Sequence, residues 1–286
     1  MAITAKEVND LRLKTGAGMM DCKKALTEAE GNIEKAIDIL RKKGAAVAAK
    51  RADKAANEGI VLTSVSEDRH TGFIVEVNCE TDFVAQSDTF IAFANFVLEK
   101  TRIHNPSSVD ELFSKEALLQ VKLDEIIGKI GEKIVISRIG ITSLENGYVG
   151  EYVHPGSKLG VLITFENLAK DKFEILAGAA KEIAMQVAAM KPITVYRNEV
   201  DQNIVDKEIE IYKELARKEG KPEQILEKIS TGRINKFYQE NCLNEQAFIK
   251  DNTKSVGDLL KEINTKAGTD VKIKSFLRYH LGDEKK

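Results

Sequence analysis

The chain has 286 residues, 43% of them hydrophobic and 31% charged, with a formal net charge of −2. This length predicts about two domains, or one domain carrying appendages, and the charge balance lacks the basic excess with which nucleic-acid binders displace counterions. No apolar run approaches the roughly 20 residues of a membrane helix, so neither a nucleic acid nor a membrane is expected as the main partner.

In chain order, the first ten residues show no basic stretch followed by an apolar one, so no secretory signal is expected and a cytoplasmic location is. Thr4 with Glu7 forms a capping-box pattern that predicts a helix start. Cys22, Ala25, Leu26 and Ala29 then share one helical face. Ile33, Ala36, Ile37 and Leu40 share another, after a turn at Gly31 and Asn32. Three such helices make a small N-terminal module. The basic, alanine-rich stretch from Arg41 to Lys54 reads as a linker or helix end that tethers it, giving a unit of residues 1–54.

From Gly59 the pattern turns to β. Gly59–Ser66 and Gly72–Cys79 predict a hairpin around the polar segment Glu67–Thr71, and Phe90, Phe93, Ala94 and Val97 face inward on a following helix capped by Ser87 or Asp88. Ile126 to Ile139 reads as alternating around Gly131. Tyr148–Val153 and Leu159–Phe165 predict a second hairpin turning at Pro155 and Gly156. A helix from about Asp171 to Met190 follows, until Pro192 stops it. The hairpin-then-helix pattern therefore occurs twice, Gly72–Leu98 matching Gly160–Ala189. The predicted fold class is α+β, with a repeated antiparallel core whose first subdomain is 55–140 and whose second is 141–197 with 241–286.

Residues 198–240 interrupt that core as a helical hairpin. Its apolar positions are Ile204, Ile211, Tyr212, Leu215, Ile225, Leu226 and Ile229, and its turn is Gly220-Lys221-Pro222. The narrow seam suits either a coiled-coil projection, for a partner or a second copy, or a plain two-helix insertion. Val256, Leu259, Leu260 and Ile263 form a last helical face, and Val271–Leu281 predicts a strand that rejoins the core.

Motifs that carry chemistry are scarce. Gly16-Ala17-Gly18 fails as a dinucleotide fingerprint, because Asp21 stands where the third glycine belongs and a helix precedes it. No phosphate-cradling GxxxxGK[ST] loop exists. His70, His104, His154 and His280 stand far apart, and Cys22, Cys79 and Cys242 have neither CxxC spacing nor an even count. No catalytic residue, metal ligand or cofactor site is expected, and the chain reads as a protein that is not an enzyme.

Two segments stand out instead. In Thr15 to Lys23, adjacent Met19 and Met20 point about 100° apart on a helix, so one small core does not easily take both. In Cys79 to Ser87, Asp82 and Phe83 follow a strand end directly; the pair either serves a contact or simply caps and fills its own core. On these residues alone, a plain adaptor that recruits partners remains an open reading.

At these segments the chain resembles the elongation factor Ts family. The family signatures match Leu11-Arg12 through Leu26, and Glu76 through Ala85, with further likeness at Ser137-Arg138, at Tyr152-Val153-His154 to Leu162, at the Gly220 turn and from Phe276 to Gly282. The resemblance implies a guanine-nucleotide exchange factor that binds elongation factor Tu and promotes release of its GDP. It implies that the N-terminal module is ubiquitin-associated-like and touches the partner's nucleotide domain through Arg12, Met19, Met20 and Lys23. It assigns Thr81, Asp82, Phe83 and Val84 to the loop that disturbs the partner's Mg2+ site. His154 falls where the second core subdomain meets the partner's far domain. The helical hairpin corresponds to the family's coiled-coil insertion, which serves homodimer contacts in some members.

Overall fold

The computed structural model describes residues 3–283; residues 1–2 and 284–286, the outer ends of the first and last units delimited above, lie outside them. Helix α1 (Ala5–Thr15) starts at a reciprocal cap. The Glu7 amide donates to Thr4 Oγ1 at 3.3 Å, and the Thr4 amide donates to the Glu7 carboxylate at 2.8 Å. With α2 (Met19–Glu28) and α3 (Ile33–Lys50) it closes a core of Val8, Leu11, Cys22, Ala25, Leu26, Ala29 and Ala36.

Of the two readings of the stretch from Arg41, the helix end holds as far as Lys50 and the linker does not. This stretch is the second half of α3, where Ala45, Ala46, Ala48 and Ala49 favour helix and Val47 and Ala48 pack against the core of the following domain.

The chain continues through β1 (Glu58–Val65), β2 (Thr71–Cys79), α4 (Asp82–Ala85), α5 (Asp88–His104), α6 (Val109–Lys115), α7 (Ala117–Ile130) and β3 (Val135–Ser143). Next come β4 (Gly147–Val153), β5 (Leu159–Glu166), α8 (Phe173–Met190), α9 (Gln202–Lys218), α10 (Glu223–Asn241), β6 (Ala247–Phe248), β7 (Asp251–Ser255), α11 (Val256–Ala267) and β8 (Lys272–His280). The architecture is α+β.

Two antiparallel three-stranded sheets run β1-β2-β3 and β4-β5-β8, with β6 and β7 as a small separate pair. Each sheet carries the helix that follows its central strand. Phe90, Phe93, Ala94 and Val97 of α5 pack on Val75 and Val77, while Leu176, Ala180, Ile183 and Val187 of α8 pack on Val161 and Ile163. Each central strand also has a register shift against its third strand, at Glu76/Val77 and at Thr164/Phe165. The two sheets meet through Val61, Ile74, Val149 and Leu162. Gly72 and Gly160 make that approach possible, since a Cβ on either would lie 2.7 Å from a valine methyl of the other sheet.

Two expectations are corrected. Ile126 to Ile130 is helical, not extended: Leu119, Ile126 and Ile127 bury at helical spacing, and Gly131 ends α7 in the left-handed region at φ 80°. In the hairpin, Ile204, Ile211, Leu215 and Ile225 are exposed. Tyr212 and Leu226 pack in the seam as expected, and Val205, Ala216, Ser230 and Ile234 complete it, so the buried face is offset by about one position from the exposed isoleucines.

Candidate partner-binding surface

The loop after β2 is held rigidly and still presents its aromatic outward. Thr81 caps α4, accepting from the Val84 amide at 3.4 Å, and its own amide and hydroxyl donate to the two carboxylate oxygens of Glu132 at 3.1 and 2.8 Å. The preceding Glu80 accepts from the Lys133 amide at 2.7 Å and from Arg51 Nη1 at 3.0 and 2.8 Å. The Lys133 amide first, and the Arg51 guanidinium after it, hold the Glu80 carboxyl below its ordinary range. Cys79 donates to the Thr81 carbonyl at 3.1 Å, and burial pushes its thiol up to about 12. Val84 and Ala85 turn inward to the core. Asp82 and Phe83 turn outward, and Phe83 is 84% exposed.

A buried phenylalanine gains roughly 1.5–3 kcal/mol, which this side chain forgoes in the free protein. The alternative that Phe83 fills its own core is thereby removed.

The turn between α1 and α2 presents a second apolar patch. Leu13, Met19 and Met20 are 74%, 49% and 63% exposed, with Arg12 and Lys23 also exposed beside them. Both methionines are therefore outside the module's core. Leu13 was missed from the sequence because α1 offers it as one more helical leucine, and only the burial of Leu11 and Val8 shows which face is inward. The Thr15 hydroxyl donates to the Leu11 carbonyl at 2.8 Å and helps fix the turn. Lys129 lies beneath Gly16 and donates to Thr89 Oγ1 at 3.1 Å in the first turn of α5, so this turn neighbours the segment that follows the Phe83 loop.

His154 is exposed in the β4–β5 turn, with its Nδ1 2.9 Å from the Tyr152 hydroxyl. That turn lies against β1 through a hydrogen bond from the Val61 amide to the Ser157 carbonyl at 2.6 Å. Lys158 in the same turn pairs with Glu58 at 2.7 Å. Its ammonium pKa is raised chiefly by the Glu58 hydrogen bond and charge, with Asp82 adding less.

Among the described residues, no group of three or more His, Cys, Asp or Glu side chains converges as a metal site, and no helix is long and apolar enough to cross a membrane. A cleft of about 300 Å3 lies under Thr15, walled by Phe93, Phe96 and Ile126. The three free cysteines, Cys22, Cys79 and Cys242, are all buried.

An aromatic and two methionines thus stand outward on turns of an α+β fold. A family model described as Elongation factor TS matches residues 80–283. The chain is 46% identical over 289 positions to Elongation factor Ts of Chloroherpeton thalassium, covering 99% of both chains. It is 47% identical over 287 positions to Elongation factor Ts of Chlorobaculum parvum, covering 98% of this chain and 99% of the relative. It is also 45% identical over 285 positions to Elongation factor Ts of Clostridium botulinum strain Alaska E43, covering 98% and 93%. The chain belongs to the elongation factor Ts family, a family of translation elongation factors.

Proposed function

We propose that this protein is a cytoplasmic guanine-nucleotide exchange factor that binds GDP-loaded elongation factor Tu, perturbs the bound Mg2+ with the Thr81–Val84 loop, and so releases GDP for GTP to rebind. The observation that carries this reading is the exposed Phe83 on a loop held by the Thr81 amide and hydroxyl and by the Glu80 carboxylate. A wedge needs an apolar tip that is unsatisfied in the free protein and a base that does not yield when the tip is inserted. Both are present, and Asp82 adds a negative charge beside the tip.

Bound Mg2+ offsets the phosphate charge of GDP, so displacing it removes a large electrostatic attraction. Burial of Phe83 supplies roughly 1.5–3 kcal/mol, about tenfold to a hundredfold in an equilibrium. Strong exchange therefore draws on further contacts, which we assign to Arg12, Leu13, Met19, Met20 and Lys23 on the module and to His154 on the second half of the core. Coupling is reciprocal: the factor by which this protein weakens GDP is the factor by which GDP weakens this protein, which lets incoming nucleotide displace it. No covalent step is involved. The working units are residues 1–54, 55–140, 141–197 with 241–286, and 198–240. A second copy of the chain is the proposed occupant of the hairpin's exposed Ile204, Ile211 and Leu215, which sedimentation of Ile211→Lys against the parent tests.

Exchange is tested by mixing the protein with elongation factor Tu carrying fluorescent GDP and Mg2+ and following release. Acceleration is expected. Binding with an unchanged release rate would replace exchange by simple recruitment.

A further inference from the structure

Helix α3 belongs to two cores at once. Its first half gives Ile33, Ala36, Ile37 and Leu40 to the N-terminal module, and its second half gives Val47 and Ala48 to the core beneath α5 and α7. Between these halves it crosses α7 at a glycine pair. A Cβ on Gly44 would lie 2.2 Å from the Asp124 carbonyl oxygen, and one on Gly128 would lie 3.0 Å from the Gly44 Cα. The backbones are thus in contact, and any side chain at Gly44 forces them apart. Arg41 reaches Glu125 at 3.7 Å on one side of the crossing. At the far end, Arg51, which caps the helix, grips Glu80 with one nitrogen on both carboxylate oxygens, and Lys133 donates to the Lys54 carbonyl at 3.0 Å. Glu80 is the residue immediately before Thr81.

We propose that α3 is a strut that fixes the orientation of the N-terminal module relative to the Phe83 loop, with Gly44, Gly128, Arg51 and Glu80 as its positioning residues. The Leu13, Met19 and Met20 patch and the Phe83 tip are then presented at one preset spacing. A partner that engages one finds the other already in place, without the entropy cost of ordering a tether. The structural half of this proposal stands on the helix packing alone; its consequence for binding rests on the exchange reading above.

Two experiments on the full chain separate these halves. Spin labels on Glu28→Cys in α2 and Glu99→Cys in α5, both exposed positions, report the distance between module and core by electron–electron dipolar spectroscopy while the native cysteines stay buried. A single narrow distribution in the parent that broadens with Gly44→Val supports the strut. A broad distribution in the parent, or one equally narrow in Gly44→Val, overturns it. Should Gly44→Val fail to fold, Arg51→Ala serves as the milder variant, with the same broadening expected.

In the second experiment, Met20→Ala and Phe83→Ala are each measured for affinity to nucleotide-free elongation factor Tu in parent and Gly44→Val backgrounds. Met20→Ala is expected to cost about tenfold in the parent and less than about twofold with Gly44→Val, while Phe83→Ala costs the same in both. An undiminished Met20→Ala penalty in the Gly44→Val background overturns the preset spacing as the source of the binding gain. Loss of any Phe83 effect in the parent would instead remove the exchange reading and leave the spin-label result to stand or fall separately.

Discussion

In the first half of the core the chain leaves its central strand at Cys79, runs through Glu80 and Thr81, and inserts the short helix α4 before α5 begins. In the second half it leaves β5 at Glu166, turns at Asn167, buries Leu168 and reaches α8 through a single 3-10 turn, Lys170–Lys172. The strand, the register shift and the inward helix face are common to both. The loop is not. One places its large apolar side chain in water on a base of five hydrogen bonds accepted by Glu132 and Glu80, and the other spends its apolar side chain on the core. The two connections differ where packing leaves the chain free, and the proposed contact surface lies on the half that forgoes stabilisation.

That contrast can be broken in order of expected effect. Leu168→Ala should lower unfolding stability by about 2–4 kcal/mol in urea titrations, through lost burial and a residual cavity. Exchange by the folded fraction should stay intact. Phe83→Ala should do the reverse, leaving stability within about 0.5 kcal/mol while exchange falls by one to two decades. Glu132→Ala removes both acceptors of Thr81. It should cut exchange by about threefold to tenfold, with faster hydrogen exchange at the Thr81 amide and Phe83 still in place.

A smaller effect lies away from the loop, at Glu116. Its carboxyl accepts from Lys100 at 2.9 Å and lies 3.2 Å from His104 Nε2, and these contacts, Lys100 foremost, hold its pKa at about 2 against an ordinary 4.5. A carboxyl depressed on folding contributes stability above its unfolded value and loses it as pH falls from 4.5 towards 2. Glu116→Gln should therefore be less stable than the parent at pH 7 and equal to it at pH 2. Last, the Cys79 thiol, pushed up to about 12, should react with a thiol reagent at pH 8 only as fast as the chain unfolds.

Much of this was legible from spacing. The capping box at Thr4, the inward faces of α5 and α8 and the repeat of hairpin and helix all follow from periodicity, because each buries one face against one layer. Local pattern failed where burial depends on what lies across the gap. Ile126 to Ile130 carries too short an apolar run to separate helix from strand. The hairpin seam is decided by which rotation pairs α9 with α10, and that choice leaves Ile204 and Ile211 in solvent although they are the bulkier residues. The second half of α3 has the composition of a solvated linker or helix end, and the glycine crossing with α7 and the packing of Val47 and Ala48 make it part of the core. The outward direction of Phe83 was equally invisible to spacing. The Asp82-Phe83 pair fits a filled core as well as a wedge, and the brace from Glu132 is 51 residues distant in sequence.

The central claim is that an exposed aromatic on a braced loop dislodges nucleotide. It is met most directly by the rate of fluorescent GDP release from Mg2+-loaded elongation factor Tu, compared for the parent chain, for Phe83→Ala and for no added protein. The account predicts strong acceleration by the parent and a loss of about tenfold to a hundredfold with Phe83→Ala. A Phe83→Ala chain that accelerates release as well as the parent would contradict it.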